Sequence, residues 1–244
     1  MELNKIYQGD CLEIMKDIPD KSIDMILCDL PYGTTACKWD TIIPFEPLWE
    51  QYKRIIKDNG AIVLTASQPF TSALVMSNPS MFKYALVWDK IRKTGHLNAK
   101  KQPMRRTEDV LIFCGGQSKY FPQMVTGKPH IRGPFGKRTK GATEVYGKFS
   151  DDDRTYESDE YYPDNILSFC AEMKSVHPTQ KPVSLFEYLI KTYTNEGDLV
   201  LDNCAGSGTT GVAAQNLKRN FILIEKKPEY VAVAENRLKQ YPLL

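Results

Sequence analysis

Short runs of consecutive apolar residues alternate along this chain with amphipathic segments of helical period. That alternation narrows the possible architectures more than any other feature. Residues 23–29, 61–66, 84–89, 109–114, 199–202 and 221–225 are strand-length and apolar at successive positions, the pattern of strands buried on both faces. Between them, residues 45–57 and 182–194 place apolar side chains at helical spacing, and Asn59-Gly60 closes the first. Residues 11–18, 69–77, 209–217 and 228–240 read as further helices, and 5–8 as a short strand. Strands alternating with helices predict an α/β fold with a doubly wound, mostly parallel sheet. The 244 residues fit one large domain with a small appended lobe. Residues 115–175 lack strong periodicity and are rich in Gly, Pro and charge. The expected organisation is two halves of one domain, 1–115 and 171–244, separated by an insertion at 116–170.

The bulk properties mainly exclude. A net charge of +2 says little about partners. No apolar stretch approaches the roughly 18 residues that span a membrane, and Met1-Glu2-Leu3-Asn4-Lys5 lacks the apolar core of a signal peptide. The six cysteines, at 11, 28, 37, 114, 170 and 204, form no C-x-x-C pair, which argues against zinc and against a disulfide framework. Reduced thiols, no metal site and a cytoplasmic location are expected.

Two constellations carry chemistry. The first is Asp29-Leu30-Pro31-Tyr32, directly after the apolar run at 23–28. Ligands of open α/β sheets bind at the carboxyl ends of strands. There Asp29 can accept a hydrogen bond from an exocyclic amine, the carbonyl of Leu30 can accept a second, and Tyr32 can stack on a flat ring. A strand ending in a proline turn is the plainer alternative. The second is the strand 199–202, ending in Asp202, followed by Asn203-Cys204-Ala205-Gly206-Ser207-Gly208-Thr209-Thr210. Glycines let backbone approach a ligand, and a helix start offers free N–H groups. The next strand ends in Glu225, 17 residues after Gly208, where a carboxylate can bind both hydroxyls of a ribose. This set points to a nucleoside cofactor. S-adenosylmethionine, with a carboxylate, an ammonium and a ribose but no phosphate, suits it better than a dinucleotide.

With these residues in view, the chain resembles the DNA amino-methyltransferases of the permuted β class, in which the target-base motif precedes the cofactor motif. The family's D/S/N-P-P-Y looks like Asp29-Leu30-Pro31-Tyr32, and its D-P-F-x-G-S-G-T-T looks like residues 202–210. Its H-P-T-Q-K-P is intact as His177-Pro178-Thr179-Gln180-Lys181-Pro182, and its G-D near the N-terminus looks like Gly9-Asp10. The match spans nearly the whole chain. Leu30 replaces the first proline of the catalytic motif, and Asn203-Cys204 replaces Pro-Phe in the cofactor loop. Residues 29–35 are similar to a subgroup often found in phage and prophage enzymes.

The resemblance implies a Rossmann-like class I methyltransferase fold with S-adenosylmethionine as cofactor. It implies that Asp29, Leu30, Pro31 and Tyr32 handle a base flipped out of duplex DNA. It assigns Asp10 to the adenine amine of the cofactor with Cys11 beside it, Glu225 to the ribose, and Ala205, Gly206, Ser207 and Gly208 to the methionine moiety. Thr179, Gln180 and Lys181 would hold the carboxylate end, with Thr209 and Asp202 completing the pocket. It also implies that the strands ending in Asp10 and in Glu225 are neighbours. Asp at position 29 leans towards adenine N6 over cytosine N4. The rivals are a cytosine N4 enzyme, a protein or RNA amino-methyltransferase, a non-catalytic DNA-binding subunit and an NAD oxidoreductase.

DNA contacts are expected from two basic stretches. Residues 90–106 hold Lys90, Arg92, Lys93, Lys100, Lys101, Arg105 and Arg106, with His96 and no acidic residue, and read as a mobile loop that suits phosphate. Residues 128–148 hold Lys128, Arg132, Lys137, Arg138, Lys140 and Lys148 against Glu144. Target recognition is expected there, with Arg132 or Arg138 reading guanine. The acidic stretch at 151–160 would repel DNA and is expected to face away or to make a protein contact. Duplex DNA, a second copy of the chain and a restriction enzyme are the partners the resemblance suggests.

Overall fold

The computed structural model describes residues 1–34, 40–132, 156–170 and 180–240. They divide into two compact units, one of residues 1–121 with 165–244 and one of residues 122–164.

The larger unit is built on an eight-stranded sheet. Its strands are β1 (Lys5–Gln8), β2 (Ile23–Cys28), β3 (Ile56–Ala66), β4 (Phe82–Thr94), β5 (Arg105–Phe113), β8 (Ile166–Ser168), β9 (Leu199–Asp202) and β10 (Asn220–Glu225), in the order β1-β10-β9-β2-β3-β5-β4-β8. β1, β10, β9, β2 and β3 run parallel, and β5 lies antiparallel to both β3 and β4. β8 returns parallel to β4. β1 pairs with β10 from Lys5 opposite Ile222 to Gln8 opposite Glu225, so the strands leading to Asp10 and Glu225 are neighbours. Among the described residues the α-helices are α1 (Cys11–Ile14), α2 (Phe45–Ile55), α3 (Phe70–Ser77), α4 (Val183–Tyr193), α5 (Thr209–Asn216) and α6 (Pro228–Gln240). Among the described residues, no helix is long and apolar enough to cross a membrane.

All six residues of β2 are buried, and from Met25 to Cys28 they alternate between two cores. Ile26 and Cys28 pack with Leu48, Trp49 and Tyr52 of α2, whereas Met25 and Leu27 pack with Leu185, Phe186 and Leu189 of α4. This is why the strand reads as a continuous apolar run. Asp24 is the exception in β2, 3 % exposed. It accepts Lys57 Nζ at 2.7 Å, Lys119 Nζ at 3.0 Å and the Leu199 N–H at 3.1 Å. Burial alone would push its carboxyl up, but these donors hold it below the usual range.

Three expectations need correction. Helix α2 stops at Ile55 rather than continuing to residue 57; Ile56 pairs with Ile23, and sheet pairing outweighs helical periodicity. The basic segment at 90–106 is strand at both ends, since β4 runs on to Thr94 and β5 begins at Arg105. Polar cross-strand pairs extend this hairpin past its apolar part, where hydrophobic patterning carries no signal. Arg106 forks onto Asp89 at 2.6 Å from each nitrogen, and Lys90 reaches Glu108 at 3.1 Å. A bulge, with Ile91 at φ 62°, interrupts the ladder, and a short turn at 96–98 closes it. Part of the aperiodic region is also strand. In the smaller unit, β6 (Val125–Arg132) pairs antiparallel with β7 (Tyr156–Tyr161), Ile131 lying opposite Glu157. The described part of the acidic stretch thus forms a ladder with a strand bearing Lys128 and Arg132.

Candidate active site

The carboxyl ends of β1, β2, β3, β4, β9 and β10 share one edge of the sheet, joined by the amino end of the reversed strand β5. A cavity of about 930 Å³ opens there. Asp10, Cys11, Asp29, Leu30, Pro31, Tyr32, Gln180, Lys181, Asp202, Ala205, Gly206, Ser207, Thr209 and Glu225 all line it. Thus motifs separated by some two hundred residues converge on one space.

On one side the loop after β9 is held by carboxylates. Glu225 accepts the Gly206 N–H through Oε2 and the Lys227 N–H through Oε1, each at 2.8 Å. Asp202 accepts the Cys204 N–H at 3.0 Å and the Thr210 hydroxyl. Burial pushes the Asp202 carboxyl up to about 6, against the pull of those hydrogen bonds. Gly206 and Gly208 adopt φ of 51° and 78°, the left-handed region that favours glycine. Their roles differ. A Cβ on Gly206 would meet nothing within 4 Å, so that glycine leaves open space at the cavity wall. A Cβ on Gly208 would lie 2.8 Å from the Ala234 Cβ, so Gly208 lets α5 begin against α6 and is not part of the lining. Asp10 caps α1 by accepting the Leu12 N–H at 3.0 Å and pairs with Lys226 at 3.1 Å.

Glycine spacing alone does not separate a dinucleotide from S-adenosylmethionine, because Gly206, Gly208 and Gly211 do stand in G-x-G-x-x-G register. Gly211 is a packing glycine, since a Cβ there would lie 2.8 Å from Leu223. The preference rests on the carboxylates. Asn203 and Cys204, where the resembled family has Pro-Phe, are accommodated locally. Buried Asn203 accepts the Tyr52 hydroxyl at 2.6 Å, and Cys204 packs against the core containing Cys11 and Cys28.

On the other side Asp29 is surrounded by donors. Its Oδ1 accepts the Tyr32 hydroxyl at 2.8 Å and also the Thr65 hydroxyl, and its Oδ2 accepts Lys181 Nζ at 2.6 Å. The Lys181 ammonium also lies 3.6 Å from Glu108 Oε2. Burial would push Lys181 down, but Asp29 and Glu108 hold it above its ordinary value. One face of Tyr32 stacks on Phe70, ring centroids 5.1 Å apart at 21°. Beyond Tyr32, the N–H groups of Gly33 and Thr34 both donate to Asp40, at 2.8 and 2.9 Å. Leu30, 3 % exposed, joins the core beneath. A leucine side chain therefore fits where the resembled family has proline, and its backbone remains at the cavity.

Thr65, Phe70 and Glu108 escaped the sequence reading, and Lys90, expected among the residues that meet DNA phosphate, is buried against Glu108 instead. Thr65 is a hydroxyl inside an apolar run and Glu108 a carboxylate at the head of one, which is the only sequence signal they give. Arg92, Lys93 and His96 are exposed on the β4–β5 hairpin, and Arg105 lines the cavity. Thr179, Lys137, Arg138 and the side chain of Arg132 lie outside the described residues.

Comparison with known proteins agrees with this geometry. The model of the DNA methylase family matches residues 23–236. The Type II methyltransferase M1.MboII of Moraxella bovis is 28% identical over 98% of both chains. M.HinfI of Haemophilus influenzae is 28% identical over 98% of this chain and 69% of its own. Among solved structures, an M1.HpyAVI–SAM complex superposes with a TM-score of 0.64 at 28% identity, covering 96% of this chain and 99% of the other. The cytosine-N4-specific PvuII DNA methyltransferase shares the fold, with a TM-score of 0.69 at 18% identity, covering 96% of this chain and 85% of its own. The chain belongs to the DNA methylase family, the N6 and N4 methyltransferases.

Proposed function

We propose that the protein is a site-specific methyltransferase that moves the methyl group of S-adenosylmethionine to the exocyclic N6 amine of an adenine flipped out of duplex DNA. The observation that carries this reading is the meeting of Asp29, Leu30 and Tyr32 with Gly206 and Glu225 in one cavity. Its volume of about 930 Å³ is at the upper end of ordinary ligand pockets, which suits a nucleoside cofactor and a base together. The open wall at Gly206, beside the Glu225 carboxylate, fits a ribose and a methionine chain.

When bound, the cofactor supplies an electrophilic sulfonium methyl. The protein orients the amine towards it. Asp29 and the Leu30 carbonyl accept hydrogen bonds from the two amine N–H groups, which draws the nitrogen towards sp³ character and frees its lone pair. Pro31 stiffens the turn, and Tyr32, backed by Phe70, presents a rigid aromatic wall to the base. The contribution is positional and electrostatic. Glu225 takes the ribose hydroxyls, Asp10 the cofactor's adenine amine, and Gln180 the carboxylate end, while the Lys181 ammonium is engaged by Asp29 Oδ2. The hairpin at 90–106 and the unit at 122–164 bear on DNA phosphate and sequence. A second copy of the chain and a restriction enzyme are the further partners in this reading. Asp29, rather than serine, favours adenine.

The test is expression in a methylation-free host followed by sequencing that reports modified bases. Methyladenine at one short motif, lost in Asp29→Ala, is the expected result. Methylcytosine would keep the chemistry and overturn the base assignment. No modification of DNA by the wild type would refute the reading.

A further inference from the structure

The charged groups at the catalytic end of the cavity form a ladder: Asp29, Lys181, Glu108, Lys90. Each of the four lines the cavity, and both lysines are buried, 7 % and 8 % exposed for Lys181 and Lys90. Lys90 is bonded to Glu108 Oε1 at 3.1 Å. Among the described residues Glu108 Oε2 is buried without a hydrogen-bond partner, and Lys181 Nζ stands 3.6 Å away, at ion-pair distance. That ammonium is spent instead on Asp29 Oδ2, at 2.6 Å. Lys181 therefore has two carboxylates within reach, one hydrogen-bonded and one at the longer distance of an ion pair. An orphaned, buried carboxylate oxygen is an unfavourable state that a donor would relieve.

The proposed reaction gives this asymmetry a use. Asp29 Oδ1 already takes two hydroxyls, so an incoming amine must bond to Oδ2. As the nitrogen–methyl bond forms, the sulfur–methyl bond breaks with its electron pair staying on sulfur as a neutral thioether, and positive charge grows on the nitrogen until one of its protons passes to solvent water. A lysine ammonium on the same oxygen would oppose that growth, in a site where charges interact strongly.

We propose that Lys181 is a two-position cation, seated on Asp29 Oδ2 in the resting site and drawn onto Oε2 of Glu108 as positive charge grows on the amine nitrogen. Glu108 is then a positioning residue that acts through Lys181. Lys90 fixes it from the far side, so the receiving oxygen is held in place. This inference rests on the methyltransferase reading above.

The test uses the full chain, with methyl transfer from labelled S-adenosylmethionine to DNA of a methylation-free host, and calorimetry for cofactor affinity. Glu108→Gln keeps the shape and removes the charge. It is expected to lower kcat by about tenfold or more while leaving the cofactor Kd and the KM for DNA within about twofold, the signature of an interaction made only as the reaction proceeds. A merely structural Glu108 would instead weaken binding or folding. If Glu108→Gln does not fold, Glu108→Asp, which withdraws the charge by one methylene, is expected to give the same loss confined to kcat. Wild-type kcat in the folded variant would overturn the proposal, as would a loss confined to Kd or KM. A wild type that binds cofactor yet methylates no DNA would instead refute the parent reading, and this inference with it.

Discussion

Replacing Asp202 by Asn should change how stability depends on pH. Asp202 is 3 % exposed, and burial pushes its carboxyl from 3.8 up to about 6. That is about two units, and each unit corresponds to about 1.4 kcal/mol, so the linked free energy is about 3 kcal/mol. The sign follows from proton binding. Between these values the native carboxyl holds its proton more tightly than the unfolded chain does. The stabilisation is therefore fully present below 3.8 and is lost as pH rises through about 6. An asparagine has no such proton, yet its amide oxygen can still accept the Cys204 N–H. Its NH₂ can donate to the Thr210 hydroxyl oxygen, reversing the present bond. The stability difference between Asp202→Asn and wild type should thus move by about 2.5 kcal/mol in the variant's favour from about pH 4 to about pH 7. Urea unfolding of the ligand-free proteins across that range, analysed with a common slope, measures it directly. Parallel pH profiles for the two proteins would refute the reasoning, because they would mean that Asp202 titrates alike in the folded and unfolded states.

Gly208→Ala is expected to destabilise by about 2–4 kcal/mol, combining the cost of a left-handed non-glycine residue with overpacking against Ala234. Thermal or urea melts would read the loss, and a neutral result would mean that α5 and α6 can separate without penalty. Lys93→Ala with Lys100→Ala, both exposed on the hairpin, should weaken DNA binding and reduce the slope of log affinity against log salt by about one per lysine that touches phosphate. An unchanged slope would remove the hairpin from the DNA surface.

The sequence reveals most where burial writes itself as pattern. Strand β2 is legible because both of its faces are covered, and helix α2 because Leu48, Trp49, Tyr52 and Ile55 fall on one side. The motif residues were equally legible: Asp29, Gly206 and Glu225 sit at chain reversals, where few residue types serve. Legibility ends where polar groups hold polar groups. Nothing in linear order pairs Glu108 with Lys181, or Thr65 with Asp29, because those contacts arise only when distant strands are set side by side. The hairpin extension to Thr94 was hidden for the same reason, being held by Asp89–Arg106 and Lys90–Glu108 rather than by apolar alternation. The roles of Gly206, Gly208 and Gly211 are also indistinguishable in sequence and separate only by what a Cβ would strike.

The pairing of β1 with β10 has a kinetic consequence. Asn4 and Asn220 hydrogen-bond across 216 positions of sequence, and Gln8 finds its place only beside Glu225. Closing so long a loop is entropically slow, and the ladder gives nothing in return until both partners are present. On the ribosome, the segment bearing Asp10 emerges well before β10 and waits unpaired through the synthesis of the long stretch between them. The side of the cavity that Asp10 and Glu225 line is therefore completed late. A nascent or truncated chain lacking β10 would carry the complete Asp29 turn and still have no seat for the methyl donor.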